Sequence, residues 1–118
     1  MEEENLGQVR GYSEVFTGVR IVEKVLDDFP DEVWEEGKTF IDPECGIGQF
    51  LVGVVKRKVA LGHTEVLSTV YGVDIMPDNV EECKHRLLGI CGDTEENRAI
   101  VNHNIRCENT LAYDFSFE

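Results

Sequence analysis

Apolar residues along this chain alternate between segments with helical spacing and short runs. In residues 17–29 and 48–61 they recur every three or four positions, the spacing of an amphipathic helix. Residues 39–42, 70–75 and 104–107 are short segments with β-branched or aromatic residues and are predicted to be strands. Because strands that alternate with helices favour a parallel sheet with right-handed crossovers, we expect an α/β fold.

Capping and helix-ending residues set the predicted boundaries of the first two helices. Thr17 is a candidate N-cap for the first helix, and Pro30 should end it. Gly62 should close the second helix, whose basic residues 56–58 are expected to face water. After Pro30 we expect a polar connection or short helical turn, in which Trp34 is a core anchor. The predicted buried faces consist of Val19, Val22, Val25, Leu26 and Phe29 in the first helix, and Phe50, Leu51, Val54, Val55 and Val59 in the second.

Two further helices are predicted before the third strand. Pro77 fits the first position of a helix that we expect to stop at Gly89. Residues 93–96, Asp-Thr-Glu-Glu, resemble a capping box, which predicts a short helix through Val101. Residues 109–111 then form the loop that leaves the third strand.

Length and charge limit what the chain can do. Its 118 residues suit a single domain, 1–118, in which residues 1–11 are expected to be a flexible acidic tail. With 24 acidic and 11 basic residues, the formal charge is -13, which repels phosphate. We therefore expect DNA binding only with additional domains.

The cysteines and histidines do not form a recognisable metal-binding pattern. No CxxC pair is present, no close ligand pair anchors a zinc site, and His63, His85 and His103 are expected to be exposed. No apolar run approaches the roughly 20 residues that cross a bilayer, and no signal-peptide pattern opens the chain. We expect a cytoplasmic protein without membrane contact and with reduced thiols. The thiols are Cys45, Cys83, Cys91 and Cys107.

The strongest functional signal is a glycine-containing turn after the first predicted strand. Residues 42–48 read Asp-Pro-Glu-Cys-Gly-Ile-Gly, and the glycines let backbone amides approach a ligand. Asp42 ends the first strand, where its carboxylate could accept from an amino group and offset a sulfonium charge. Asp74 ends the second strand and could accept from ribose hydroxyls. Because parallel strands end at one edge of the sheet, these features predict a small-molecule site there.

The same segment resembles the cofactor motif of a known family. Residues 42–50, Asp-Pro-x-Cys-Gly-x-Gly-x-Phe, are similar to that motif in S-adenosylmethionine-dependent, adenine-specific DNA methyltransferases of phages and restriction-modification systems. The similarity extends to residues 14–17, 71–75 and 78–83, and so covers most of the chain. It implies part of a Rossmann-like methyltransferase fold, a parallel sheet with flanking helices, that binds S-adenosylmethionine or S-adenosylhomocysteine. If the protein is encoded by a phage, the host cytoplasm is the implied location.

The resemblance implies roles for matching residues at both ends of the cofactor. Thr17 would contact the methionine carboxylate and Phe16 would line the pocket. Asp42 would face the methionine amino group. At the other end, Asp74 would hold the ribose and Ile75 the adenine.

The turn and the exit loop of the third strand complete the implied cofactor site. In the family, an acid in that exit loop accepts from the adenine amine; here Asn109 takes its place, with Leu111 beside it. Glu44 departs from the family, which commonly has a small residue at this position, and it adds a negative charge beside the site. The implied residues of the turn are Pro43, Cys45, Gly46, Gly48 and Phe50.

The family's catalytic tetrapeptide matches no part of this sequence. It is an Asp or Asn followed by Pro-Pro and an aromatic residue, and it grips the flipped adenine. Here Pro30, Pro43 and Pro77 are isolated. The resemblance therefore implies a cofactor-binding portion, truncated before the tetrapeptide, that has no catalytic residue of its own and does not methylate unaided.

Three other functions are compatible with the sequence. The chain could be a subunit of a split methyltransferase, with Phe115 and Phe117 as contacts to a partner chain or a second copy; alternatively, both rings belong to the domain's own core. It could be an acidic regulator or inhibitor that binds a host methyltransferase or nuclease. Cleavage of S-adenosylmethionine would need a base near the sulfonium, for which Glu44 is the one unusual candidate.

Overall fold

A computed structural model describes residues 19–117, and of Val19 only the backbone. The predicted cap Thr17 and the tail 1–11 lie outside this range. None of the helices within it has the length and apolar composition needed to cross a bilayer. Its helices and strands are α1 (Val19–Asp28), β1 (Phe40–Asp42), α2 (Gln49–Ala60), β2 (Val70–Asp74), α3 (Pro77–Cys91), α4 (Glu95–Asn104) and β3 (Ile105–Cys107), with 3₁₀ turns at Asp31–Trp34 and Val66–Thr69.

The strands form one parallel sheet in the order β1-β2-β3. Phe40 lies beside Val70, and Gly72 lies beside Ile105. The predicted α/β architecture is confirmed, and it is compatible with part of a Rossmann-like fold. All three strands therefore end at the same edge of the sheet, which brings together the residues that follow them.

One face of the sheet packs against the helices. Phe40, Val70, Gly72 and Ile105 share this face because side chains alternate along a strand. A Cβ atom at Gly72 would lie 2.8 Å from Cδ1 of Leu51, so α2 packs closely on β2. The helices contribute to this core the buried side chains of Val22, Leu26, Leu51, Val54, Val55, Val80, Cys83, Leu87 and Val101.

The opposite face is covered in part by residues 113–117. The ring centroids of Tyr71 and Phe117 are 4.9 Å apart, and the Arg106 guanidinium lies 5.7 Å from the Phe117 ring. Ile41, on the same face, is 48% exposed. Parallel sheets are usually covered on both faces, so this one has apolar surface left for a further layer.

An aromatic cluster joins α1 to the start of β1. Phe29 packs on Trp34, Phe40 and Phe50 with ring centroids 6.0 to 6.4 Å apart. The Arg57 guanidinium lies 5.3 Å from the Trp34 ring. The prediction that Trp34 anchors the core is confirmed.

The prediction that residues 56–58 are mostly turned towards water is wrong for Lys58. Its side chain is 1% exposed, and Nζ donates to the carbonyl of Lys38 at 2.5 Å and to Oγ1 of Thr69 at 2.7 Å. These acceptors replace water for a buried ammonium group, which otherwise would be costly to desolvate. Lys58 thereby ties the entry of β1 to the entry of β2.

Several boundary and exposure predictions also change. Helix α3 continues through Gly89, where no atom within 4 Å opposes a side chain, and ends before Gly92, whose φ is 110°. A glycine inside a helix costs about 1 kcal/mol, which the packing of α3 offsets. Val25 and Val59 are 41% and 48% exposed, so they lie outside the buried faces. The predicted fourth helix is confirmed, and its N-cap is Thr94.

His63 is the histidine that departs from prediction. It is half-buried and its Nδ1 atom is fully buried, because the loop after α2 folds back against the helix end, where the His63 amide donates to the carbonyl of Lys58 at 3.1 Å. His85 and His103 are exposed, as expected.

Candidate functional site

The carboxylates that end β1 and β2 lie at the same edge of the sheet. Desolvation raises the pKa of the Asp42 carboxyl above its ordinary value. The Glu44 amide, which donates to Oδ1 of Asp42 at 3.1 Å, opposes this rise, whereas the negative charges of Glu44 and Asp74 add to it. The site is therefore an acidic one in which a cation would relieve repulsion.

Asp74 receives hydrogen bonds from two segments of the chain. Its Oδ2 atom accepts from the Gly46 amide at 2.9 Å, and its Oδ1 atom accepts from the Met76 amide at 2.8 Å and from Nδ2 of Asn79 at 3.3 Å. These hydrogen bonds occupy acceptor positions of the Asp74 carboxylate that a ligand would otherwise use. Asp74 thus has a structural role in addition to any contact with a ligand.

The glycine turn has a backbone that favours glycine at two positions. Gly46 and Gly48 have φ values of 54° and 95°, in the left-handed region. A Cβ atom at Gly48 would lie 2.9 Å from Sγ of Cys83 in α3. The turn is also tied to β2, because the Cys45 amide donates to the carbonyl of Val73 at 2.9 Å. Both glycines let the chain pass closely between α3 and the end of β2.

Two residues of α3 that the sequence did not single out position this site. Asn79 contacts Asp74, as described, and Nη1 of Arg86 donates to the carbonyl of Ile47 at 3.3 Å. Asn79 follows Asp74 closely in sequence, which is a weak signal for such a contact. Arg86 carries no local signal, because its partner lies 39 residues earlier in the chain.

Cys45 is buried at the centre of the turn. It is 3% exposed and lies against Cys83, which is completely buried. A hydrogen bond with Cys83 and, to a smaller extent, desolvation raise the pKa of the Cys45 thiol far above its ordinary value. The thiol therefore stays protonated and packs against its neighbours. Pro43 and Glu44, on the same turn, are exposed.

The remaining predicted residues lie in different surroundings. Phe50 is part of the aromatic cluster, with its ring centroid 6.4 Å from that of Phe40. Ile75 is 59% exposed directly beside Asp74, which leaves an apolar surface at the edge of the sheet. The Asn109 side-chain oxygen accepts from the Leu111 amide at 3.0 Å, so it stabilises its own turn.

The exit loop of β3 is nevertheless held beside the acidic edge. The Glu108 amide donates to the carbonyl of Asp74 at 3.0 Å, and the Cys107 thiol contacts the carbonyl of Ile75 at 3.5 Å. Leu111 is 96% exposed in this loop. Phe16 and Thr17, predicted at the other end of the cofactor, lie outside the described residues.

The donor set of the site fits a small organic cation. The acids supply negative charge, the glycine turn allows close approach, and Ile75 supplies an exposed apolar side chain. Among residues 19–117, no three His, Cys, Asp or Glu side chains are grouped as metal ligands.

Comparison with known proteins gives one partial similarity. The chain is 35% identical over 80 residues to the adenine-specific methyltransferase PglX of Streptomyces coelicolor. The matched region is 58% of this chain but only 7% of that protein. No family model matches the chain, and no solved structure matches it. The similarity supports a methyltransferase-related region.

Proposed function

We propose that this chain is the S-adenosylmethionine-binding portion of an adenine-specific DNA methyltransferase and does not methylate DNA unaided. One observation carries the proposal: Asp42 and Asp74 lie at the same edge of the sheet, close enough for their charges to interact, and the glycine turn is hydrogen-bonded to Asp74. The partial similarity to an adenine-specific methyltransferase supports the same reading.

Different residues of this chain would contact the two ends of the cofactor. Asp42 would offset the positive charge at the methionine end, and the resemblance adds Phe16 and Thr17 there. Asp74 would accept from the ribose hydroxyls, and Ile75 would lie against the adenine. The cofactor, when bound, supplies an electrophilic methyl group.

The sequence contains no Pro-Pro dipeptide, so it does not supply the family's grip on a flipped adenine. Its charge of -13 also opposes contact with the DNA backbone. Both observations favour a role in cofactor binding, with base recognition contributed by other protein segments.

Calorimetric titration of the chain with S-adenosylmethionine tests the proposal, with the recovered ligand identified by mass spectrometry. We expect intact ligand and a Kd in the micromolar range, about -8 kcal/mol. Absence of binding by a folded chain would contradict the proposal and favour an acidic regulator. Recovery of cleaved ligand would instead show a lyase or hydrolase and would direct attention to Glu44.

A second candidate is a subunit of a split methyltransferase. Within the described residues, β1 pairs only with β2, and Ile41 is 48% exposed beside that edge. Phe115 and Phe117 pack within the chain on Tyr113, with ring centroids 5.3 and 5.6 Å apart, and both remain half-buried. Adenine methylation that appears only when a second polypeptide with the tetrapeptide is added would support this candidate.

A further inference from the structure

A cavity lies at the end of the sheet opposite the acidic edge. It has a volume of about 340 Å³, and its walls come from segments that lead into the amino ends of β2 and β3. This volume is within the range of small-molecule sites. The apolar walls are formed by Val59, Val66, Leu67, Ile90 and Ile100.

The polar groups of this cavity are mainly acceptors. Nδ2 of Asn97 donates to the carbonyls of Cys91 and Gly92 at 3.3 and 2.9 Å, which leaves its side-chain oxygen as the group that can bind something else. Glu65 adds a carboxylate, and none of the lining residues within 19–117 is a lysine or an arginine. An anion would meet only negative or neutral groups here, whereas a hydrogen-bond donor would find acceptors.

His63 supplies the most unusual observation. It lines the cavity, and its buried Nδ1 atom has no hydrogen-bond partner among the described residues. A buried polar atom without a partner is rare in folded proteins and costly. Rotation of the ring towards the cavity would let Nδ1 of the neutral imidazole accept from a bound donor, and this would remove the cost.

We propose that the cavity between His63, Glu65 and Asn97 binds a small hydrophobic amine, with the apolar walls holding its hydrocarbon part and these three side chains accepting from its nitrogen. The site is separate from the proposed cofactor site, which lies at the carboxyl ends of the strands. Binding here does not require S-adenosylmethionine.

Protein NMR on the whole chain can test this with three probes of nearly equal size: 2-phenylethylamine, 2-phenylethanol and phenylacetate. The amine should shift the backbone amide signals of the cavity residues saturably, the alcohol should bind more weakly, and the acid should bind at least about tenfold more weakly than the amine. Equal binding of the amine and the acid, or the absence of saturable shifts at residues 59–67 and 90–100, would overturn the proposal.

Two variants assign the binding to these side chains. His63→Phe keeps an aromatic ring but removes the acceptor. Glu65→Gln removes the charge at an exposed position and keeps the length of the side chain. Each variant should lower the affinity for the amine by about five- to tenfold. His85→Phe, at an exposed position of α3, should leave that affinity unchanged. If His63→Phe fails to fold, Glu65→Gln decides the question: unchanged amine affinity in that variant would contradict the proposal.

Discussion

The amide of Gly46 donates a 2.9 Å hydrogen bond to Oδ2 of Asp74, so the turn that follows β1 is held by the residue that ends β2. The other carboxylate oxygen of Asp74 accepts from Met76 and Asn79 at the start of α3. One side chain therefore connects the glycine turn, the end of β2 and α3. Asp74 was predicted as a ligand contact, but the structure gives it a role in shaping the site as well.

Asp74→Ala should lower both stability and cofactor affinity. It leaves the amides of Gly46 and Met76 without their acceptor, which costs about 1–3 kcal/mol in unfolding free energy. We expect S-adenosylmethionine affinity to fall at least about tenfold, because the turn loosens and a ribose acceptor is lost. Urea denaturation and calorimetry measure the two effects. Asp78→Asn, which removes an exposed carboxylate from the first turn of α3, should change neither by much. If both variants behave alike, net charge rather than Asp74 governs the site.

Gly48→Ala should be more destabilising than the corresponding change at Gly37. Both glycines have left-handed φ values, 95° and 89°, so each alanine carries a backbone strain of about 1–2 kcal/mol. Only at Gly48 would the added Cβ atom also meet Sγ of Cys83, at 2.9 Å, whereas nothing lies within 4 Å at Gly37. Thermal denaturation of both variants should show the larger loss for Gly48→Ala.

A double variant separates strain from the clash at Gly48. Cys83→Ala removes the sulfur atom that the new Cβ atom would meet. The double variant Gly48→Ala, Cys83→Ala should therefore lose less stability than the sum of the losses in the two single variants. Simple additivity would show that the close approach of the turn to α3 has no energetic weight.

Much of the fold was predictable because it depends on local patterns. The alternation of helices and strands, the aspartate that ends each of β1 and β2, and the cap at Thr94 all follow from short stretches of sequence. The assembly of the strands into one parallel sheet follows from the general rules for alternating helices and strands, whereas the order β1-β2-β3 was not predicted. These features bring Asp42 and Asp74 to one edge without any knowledge of long-range contacts.

Lys58 was predicted to be exposed because it is charged, although its helical spacing places it on the buried face. It lies seven positions after Leu51 and four after Val54, so its helical position is on the buried face. The acceptors that make its burial tolerable, the carbonyl of Lys38 and the hydroxyl of Thr69, come from other segments. The contacts of Asn79 with Asp74 and of Arg86 with the carbonyl of Ile47 were missed for the same reason, since they depend on how α3 packs.

Burial of Lys58 predicts a difference in the pH dependence of stability. Desolvation lowers the pKa of Lys58 in the folded protein below its ordinary value of 10.5. Between the lowered pKa and 10.5, the unfolded chain binds more protons, so this residue makes the folded state more stable as pH rises. We expect the unfolding free energy of the wild type to rise relative to that of Lys58→Met over this alkaline window.

Urea titrations from neutral pH to about 10.5 provide the comparison for Lys58. Lys56→Met removes a neighbouring but exposed lysine, and its pH profile should run parallel to that of the wild type. Parallel profiles for the wild type and Lys58→Met would mean that the ammonium group is not desolvated in solution.

Asp42→Asn should stabilise the fold at neutral pH. Desolvation, with the charges of Glu44 and Asp74, raises the pKa of Asp42 above its ordinary value of 3.8 in the folded state. Between 3.8 and the raised pKa, the folded protein binds more protons than the unfolded chain, so stability is lost as pH rises through that window. Asparagine lacks this loss, and thermal denaturation at pH 7 should show a higher midpoint for the variant than for the wild type.

The same substitution should weaken binding of a cationic ligand. The repulsion between Asp42, Asp74 and Glu44 is what a sulfonium or ammonium group would relieve, and Asp42→Asn removes part of that attraction. We expect S-adenosylmethionine affinity to fall by about tenfold while stability rises. Glu44→Gln removes an exposed charge and should alter both properties less. The Asp42→Asn protein could instead be more stable than the wild type and bind the cofactor as tightly. That result would show that Asp42 is desolvated by the fold alone and does not contact the cofactor.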